Sequence, residues 1–242
     1  MTQPISMPWS SPAFGELPHR WQGVRMAAFP FTPRPGAVER ILPPGMEPVD
    51  GPGMVTLLSY PQTEFQHPFE EAVVMVPVRV DETLGNYIPY IYVTTDEALI
   101  PGREIAGFPK KLAEVEWGRD GDRVHGAVTR WGKRILSIEG RVEGPMPEAA
   151  AAGFGPGAPA LNYKLIPGPA GEIEIEEITK AQIELIPREQ EIGQAQIRCE
   201  PSDHDPVADL VPEAEGAMIV MLSDNTIPAG EVLKRIKREA PA

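Results

Sequence analysis

Short apolar runs bounded by glycine, proline or aspartate recur along the chain. They are rich in β-branched and aromatic residues, a composition typical of strands. The dipeptide Asp120-Gly121 lies between two such runs and predicts a hairpin turn. The pattern therefore predicts strands at Gly53–Tyr60, Glu71–Val80, Tyr87–Thr95, Arg123–Trp131 and Arg134–Glu143.

Two later segments have different patterns. The run Gly171–Ile186 begins with strict alternation of Glu and Ile, which predicts a strand with one buried face and one solvated acidic face. The segment Gly144–Asn162 is rich in Ala, Gly and Pro, and it predicts a long mobile loop between strands.

Helical spacing is rare in this sequence. Val38, Ile41 and Leu42 form a short apolar stripe that Pro43 ends, which predicts one helix. Near the C-terminus, the spacing of Val232, Leu233 and Ile236 predicts a second helix, with basic residues placed late where they suit the helix dipole.

Proline and glycine fix the fold class further. The chain has 242 residues with 29 prolines and 23 glycines, which interrupt it too often for long helices. A regular alternation of strands and helices is absent, so a Rossmann domain or a TIM barrel is not expected. We predict a single α+β domain over residues 1–242 that is predominantly antiparallel β with a few short helices.

Charge and cysteine content exclude several classes of function. The formal net charge of −13 opposes binding to nucleic acid or to an anionic membrane. The single cysteine, Cys199, allows no intrachain disulfide. Because neither a signal peptide nor an apolar run of about 20 residues is present, we expect a soluble, unprocessed cytoplasmic protein.

Two adjacent lysines, Lys110 and Lys111, stand in the segment PGREIAGFPKKLAEVEW, whose other residues are mostly apolar, small or turn-forming. A solvated surface pair is the ordinary interpretation of such a dipeptide. Pro109 favours an extended chain here, so the two side chains should point to opposite sides. One lysine can then face a pocket while its neighbour faces solvent.

A buried lysine in such a position could act as a nucleophile. Its amine must be neutral, whereas a free lysine with a pKa near 10.4 is almost fully protonated at pH 7. Burial in an apolar pocket is expected to lower the pKa more than a second ammonium about 10 Å away would.

The segment GREIAGFPKKLA resembles the lysine motif of the acetoacetate decarboxylase family. Other stretches follow in an order similar to the family's: SPAF, AVERILPPGMEP, FEEAVVMVPV, YIPYIYVTTDEALIPGRE and LNYKLIP. Acetoacetate decarboxylase is itself a standard example of a lysine activated by desolvation or a neighbouring cation. The resemblance implies a closed or double β-barrel, a keto acid substrate, Schiff-base chemistry without a cofactor or metal, and a homo-oligomer.

The resemblance also assigns roles to individual residues. It implies that Lys110 is the Schiff-base nucleophile, that Lys111 is the cation that tunes its pKa, and that Glu71 is a catalytic carboxylate of the pocket. Tyr92 and Phe108 are further candidates for contact with the substrate.

The family's substrate-orienting arginine has no direct match in this chain. An ungapped alignment places Val24 at its position, so Arg25 could bind the substrate only through a local bulge in the strand. A second acidic position of the family falls near Thr56. These two departures weaken the expectation of acetoacetate decarboxylation more than that of Schiff-base formation.

Three functions therefore remain open. The first is decarboxylation of acetoacetate or a related β-keto acid, and the second is aldolase-dehydratase or lyase chemistry on a 2-oxo acid. The third is a non-enzymatic β-rich protein that binds a small molecule. Neither His67 with its neighbouring glutamates nor the segment Asp203-His204-Asp205 has a recognised metal-ligand spacing, so we expect no metal.

Overall fold

The computed structural model describes residues 5–64, 67–148 and 157–236. Strands dominate this part of the chain, which confirms the predicted fold class. The strands are β1 (His19–Phe31), β2 (Glu47–Pro48), β3 (Gly53–Tyr60), β4 (Gln62–Thr63), β5 (Phe69–Val80), β6 (Thr83–Val93), β7 (Lys110–Leu112), β8 (Glu114–Asp120), β9 (Arg123–Arg130), β10 (Lys133–Pro145), β11 (Ala160–Pro167), β12 (Ile173–Ala181), β13 (Glu184–Cys199), β14 (Ala214–Ile227) and β15 (Glu231–Arg235).

Fifteen strands of the described residues form one sheet. Its main path runs β15-β12-β11-β6-β5-β3-β1-β14-β13-β10-β9-β8, and β2, β4 and β7 pair with β5, β1 and β6. The pairs are antiparallel except β11 with β6 and β6 with β7. Because β15 and β8 lie at the two ends of this path and do not pair with each other, the prediction of a closed barrel is wrong.

The sheet folds over on itself instead of closing. Register shifts interrupt the pairing of β1 between Trp21 and Val24, and that of β13 between Pro187 and Glu189, and such irregularities bend long strands. At one end, β8 contacts β3 and β5, which are not its neighbours in the sheet order. The main apolar core lies between the two halves, with Leu57 of β3 and Val128 of β9 in the same buried cluster.

The helices are short and connect strands. α1 (Ala37–Ile41) confirms the predicted helix and ends before Pro43. α2 (Asp96–Glu104) was not predicted, because Pro101 lies inside it. The signals that could have found it are the capping residue Thr95, whose hydroxyl accepts from the Ala98 amide, and the acidic residues of its first turn. α3 spans Val207–Leu210.

The predicted C-terminal helix is wrong. Glu231–Arg235 forms β15, which pairs antiparallel with β12, for example Thr179 with Val232. The five residues gain backbone hydrogen bonds on the sheet edge, and this tertiary pairing overrides the helical spacing of the apolar residues. Residues 237–242 lie outside the described part of the chain.

The remaining predictions of local structure have mixed outcomes. The hairpin at Asp120-Gly121 is confirmed, with Asp120 paired to Arg123 and Gly121 at a φ of 60°. In β12, Glu174 is exposed as predicted, but Glu177 is buried. The predicted loop Gly144–Asn162 is strand at both ends, in β10 and β11, and its middle, 149–156, lies outside the described residues.

No helix among the described residues is long and apolar enough to cross a membrane.

Candidate active site

Lys110 lies in the wall between two cavities. The first, here called the sheet cavity, has a volume of about 190 Å³ and is walled mainly by apolar side chains, among them Met26, Leu58, Val73, Met75, Ile88 and Ile91. The second, here called the helix cavity, has a volume of about 180 Å³ and lies between α2, the loop after it, and strands β11 and β12. The two cavities share the lining residues Trp21, Phe69, Phe108, Lys110 and Ile227.

Strand β7 directs the two lysines to opposite sides. It pairs in parallel with β6, where Lys110 lies opposite Ile91 and Lys111 opposite Tyr92. Ile91 lines the sheet cavity together with Lys110, whereas Tyr92 and Lys111 both bind Asp205. The expected divergence of the two side chains after Pro109 is therefore confirmed.

Lys110 contacts a carboxylate at the cavity wall. Its Nζ lies 2.7 Å from Oε2 of Glu71, and the side chains are 12% and 10% exposed, respectively. The hydroxyl of Tyr60 donates to the other oxygen, Oε1, of Glu71 at 3.3 Å. The Phe108 ring centroid lies 5.8 Å from the Lys110 Nζ. The arrangement places an amine, a carboxylate and a phenol in one hydrogen-bonded chain.

Tyr60 was not identified from the sequence. Burial raises the pKa of its hydroxyl well above the ordinary value, and the charge of Glu71 and the hydrogen bond to it raise that pKa further. Tyr60 therefore stays protonated and donates to Glu71 throughout the neutral range. The residue lies on β3, next to the strand that carries Glu71, and no local pattern separated it from other buried aromatic residues.

Two glycines of the lysine motif make room for lysine side chains. A Cβ at Gly102 would lie 2.7 Å from both Cδ and Cε of Lys110. A Cβ at Gly107, where φ is 72°, would lie 2.6 Å from Cβ of Lys164. Arg103 lies between them and donates to the carbonyl of Lys110 at 3.1 Å, which holds the loop against β7. The motif's glycines thus allow the α2 loop to press against two lysine side chains.

Lys111 belongs to a separate ionic network. Its Nζ lies 2.8 Å from Oδ1 of Asp205 and also donates to the carbonyl of His204. Asp205, whose side chain is 1% exposed, also accepts from Arg130 at 3.3 Å and from Tyr92 at 3.1 Å. Burial alone would raise the pKa of Asp205, but Lys111, Arg130 and Tyr92 together hold it below its usual value. Because Asp205 compensates its charge, Lys111 is a weaker influence on Lys110 than an unpaired ammonium would be.

Arg25 does not reach either cavity. Strand β1 has a bulge at Gly23, the kind of irregularity through which Arg25 could have taken the place of the missing arginine. Val24 nevertheless stays buried on the cavity side. Arg25 is exposed on the opposite face, in a surface depression with Ser59 and Glu70. Of the described residues that line the two cavities, none is an arginine. Thr56 lies in the wall of the sheet cavity, at the position where the family's second carboxylate was expected.

The two other candidates for substrate contact have different positions. Phe108 lines both cavities. Tyr92 belongs to the main apolar core and is 1% exposed, with its hydroxyl on Asp205. Tyr92 therefore holds the network of Lys111 and is not brought to the cavities.

The described residues contain no group of three His, Cys, Asp or Glu side chains that could hold a metal ion. His67 is exposed and pairs with Glu97, with Nδ1 3.0 Å from Oε2. Further polar groups that sequence reasoning missed are Asn225 in the sheet cavity and the pair Lys164 and Glu177 in the helix cavity. These residues come from β11, β12 and β14, far along the chain from the lysine motif.

Comparison with known proteins identifies the family. The family model described as Acetoacetate decarboxylase (ADC) matches residues 2–236, and the chain therefore belongs to this family. Acetoacetate decarboxylase of Acidiphilium cryptum is 26% identical over 240 residues, which cover 95% of this chain and 94% of that protein.

Two solved structures have a similar fold. Acetoacetate decarboxylase of Legionella pneumophila has a TM-score of 0.86 at 20% identity and covers 96% of this chain and 92% of its own. The enduracididine biosynthesis enzyme MppR complexed with pyruvate has a TM-score of 0.79 at 16% identity and covers 96% and 98%. The predicted family is thus confirmed, and the fold is shared by proteins of more than one activity.

Proposed function

We propose that this protein is a carbon–carbon lyase in which Lys110 forms a Schiff base with a small keto acid, and that it decarboxylates acetoacetate or a related β-keto acid. The observation that supports this most directly is the 2.7 Å contact between Lys110 Nζ and Glu71 Oε2 at the wall of an apolar cavity. Membership of the acetoacetate decarboxylase family supports the same chemistry.

Glu71 and Lys110 can prepare the nucleophile between them. Transfer of one ammonium proton from Lys110 to Glu71, across their 2.7 Å contact, leaves the neutral amine that attack on a keto carbon needs. The amine attacks the keto carbon, and the carbinolamine then loses water to give a protonated imine. Glu71 lies at hydrogen-bond distance from the nitrogen and can supply the proton that leaves with the water.

Loss of CO₂ follows from the imine when the substrate is a β-keto acid. The bond between the α-carbon and the carboxylate breaks, its electron pair forms a C=C bond to the imine carbon, the electrons of the C=N π bond move onto the nitrogen, and an enamine and CO₂ result. An apolar cavity favours this step because the charge of the carboxylate disperses as CO₂ forms. A proton then returns to the enamine carbon, and water hydrolyses the imine to release the ketone and Lys110.

A second candidate activity is aldol or dehydration chemistry on a 2-oxo acid. It is favoured by the position of Arg25 on the outer face, which leaves the cavities without the arginine that holds the carboxylate in the decarboxylases. It is also supported by the similarity of fold to MppR, which has been described in complex with pyruvate. The same imine would serve, since it activates a neighbouring C–H or C–C bond in the same way as it activates the bond to a carboxylate.

The test is trapping of the imine with borohydride. The protein is incubated with acetoacetate, longer β-keto acids and pyruvate, and the adduct is mapped by mass spectrometry while CO₂ release is measured in parallel. We expect a reduced adduct on Lys110, which is absent in Lys110→Ala. CO₂ release from a β-keto acid identifies the decarboxylase, and an adduct with pyruvate without CO₂ release identifies the second activity. Absence of an adduct with every keto acid would leave a non-enzymatic binding protein.

A further inference from the structure

A second buried ion pair lines the helix cavity. Lys164 of β11 and Glu177 of β12 have side chains that are 13% and 10% exposed, and Lys164 Nζ lies 3.7 Å from Glu177 Oε1. This separation is beyond hydrogen-bond distance. The one hydrogen bond that Lys164 makes to the described residues is with the carbonyl of Ile105, at 3.3 Å. Since an ammonium group has three N–H donors, Lys164 can donate a hydrogen bond to an additional anionic partner.

The charges around Lys164 favour an anion. Glu177 also faces Arg235, whose Nε lies 3.5 Å from Oε2, so two cations surround this carboxylate. In the other charged pair of the cavity, Lys180 Nζ lies 2.7 Å from Glu231 Oε1, and this pair is near the surface. Lys110 is already balanced by Glu71. Lys164 and Arg235 thus share one carboxylate, and of these two cations only Lys164 is buried and lines the helix cavity.

We infer that Lys164 binds the carboxylate of the keto acid that reacts at Lys110, an inference that rests on the proposed function. The two lysines line the same cavity, and the ring of Phe108, which lines both cavities, has its centroid 5.8 Å from the Lys110 nitrogen. The substrate then extends across Phe108, with its carboxylate in the helix cavity, its keto carbon at Lys110 and an apolar substituent in the sheet cavity. A protein with a net charge of −13 needs such a local cation to hold an anionic substrate. The substrate class is a keto acid with an apolar substituent opposite the carboxylate.

The experiment compares a keto acid with its methyl ester, which has the same skeleton without the charge. Borohydride trapping rates are measured on the wild type, Lys164→Met, Lys164→Arg and the control Lys234→Met, a surface lysine that pairs with Asp81 and lines neither cavity. We expect Lys164→Met to lower the rate for the acid by at least about tenfold relative to the ester, a change in selectivity of one decade. Lys164→Arg should restore the preference for the acid, and Lys234→Met should change the ratio less than about twofold.

The possible results separate the alternatives. If Lys164→Met lowers the rates of acid and ester equally, or lowers neither, Lys164 only supports the loop at Ile105 and the inference is wrong. If the wild type traps neither compound on Lys110, the proposed function itself fails. Should Lys164→Met not fold, Glu177→Gln decides: removing the competing carboxylate should raise the acid-to-ester ratio severalfold, and an unchanged or lower ratio contradicts the inference.

Discussion

Lys110 and Lys111 are neighbours in the chain, and each lies within 2.8 Å of a carboxylate, yet the two pairs differ in every other respect. Lys110 and Glu71 are almost equally buried, Lys110 lines both cavities and Glu71 the sheet cavity, and Tyr60 donates to Glu71. Lys111 is 43% exposed, and its carboxylate, Asp205, is buried and bound by Arg130 and Tyr92 as well.

The difference lies in what each carboxylate can still do. Asp205 has its charge compensated by two cations and its pKa held low, so it stays ionised and fixes Lys111 in place. Glu71 faces one cation, Lys110, and Tyr60 donates to its other oxygen. The pair at the cavity is suited to chemistry, and the pair on the other side of β7 is suited to holding the strand.

The largest expected effect is that of Glu71→Gln. The amide keeps the size of the side chain but cannot take a proton from Lys110, and general acid–base catalysis contributes about 100-fold or more. Trapping and turnover of keto acids should fall by about that factor. The matched control is Glu70→Gln, next in the chain on the outer face, where Glu70 accepts from Ser59. Rates within threefold of the wild type for Glu71→Gln would exclude it as the proton carrier.

Asp205→Asn should act on stability and not on chemistry. It leaves Arg130 and Lys111 without a compensating charge in a buried site, which costs about 3 kcal/mol, the low end for a broken buried pair because Lys111 is partly exposed. Urea unfolding measures this, with the exposed Asp203→Asn as control. Trapping on Lys110 should persist in the folded variant. A loss of trapping at unchanged stability would mean that Asp205 acts on Lys110 directly.

Gly102→Ala should separate activity from stability. The new Cβ would lie 2.7 Å from the stem of Lys110, which must move, while alanine favours the helix over glycine by about 0.5–1 kcal/mol. We expect trapping to fall about tenfold without a fall in Tm. Gly216→Ala, where the nearest atom is 3.7 Å away, is the control. Unchanged trapping would show that the Lys110 side chain can move away from the new Cβ without loss of reactivity.

Lys111→Met should have a small effect. The side chain is 43% exposed, and an ion pair with that much solvent contributes about 0–1 kcal/mol. Trapping on Lys110 near neutral pH should slow less than threefold, because Asp205 already compensates the charge of Lys111. A loss as complete as that of Lys110→Ala would refute the division of roles between the two lysines.

The smallest expected effect is on the pH dependence of the free energy of unfolding, compared between Asp205→Asn and the wild type. Because the pKa of Asp205 is lower in the folded than in the unfolded protein, its contribution is present above the unfolded value near 4 and is lost as the pH falls through the folded value. Thermal unfolding between pH 7 and pH 3 should therefore show a smaller loss for Asp205→Asn than for the wild type. Parallel curves for the two proteins would contradict the lowered pKa.

The sequence was sufficient for the local part of this site. Pro109 imposes an extended chain, so the opposite orientations of Lys110 and Lys111 follow from the covalent structure of one segment. The run of β-branched residues placed Glu71 at the start of a strand, and the family resemblance placed it in the pocket. The resemblance of the lysine motif supplied the chemistry.

The rest depends on contacts that no local pattern encodes. Asp205 lies 94 residues after Lys111. The spacing of apolar residues around Val232 fits a helix, but the segment becomes a strand because it pairs with β12. Closure of the sheet could not be predicted either, because it depends on whether β15 and β8 meet. The position of Arg25 was open for the same reason, since a bulge can shift a strand by one residue or leave its faces unchanged.

The pairing of β1 with β14 also determines when the site comes into existence. The amide of Gly23 donates to Asp224, 201 residues further on, and Trp21 and Ile227 from these two strands wall both cavities. Contacts so distant in sequence form slowly, and during synthesis they must wait for the last quarter of the chain. A nascent chain thus carries both lysines long before it has the two cavities, which are complete only after β14 has been synthesised and has paired with β1.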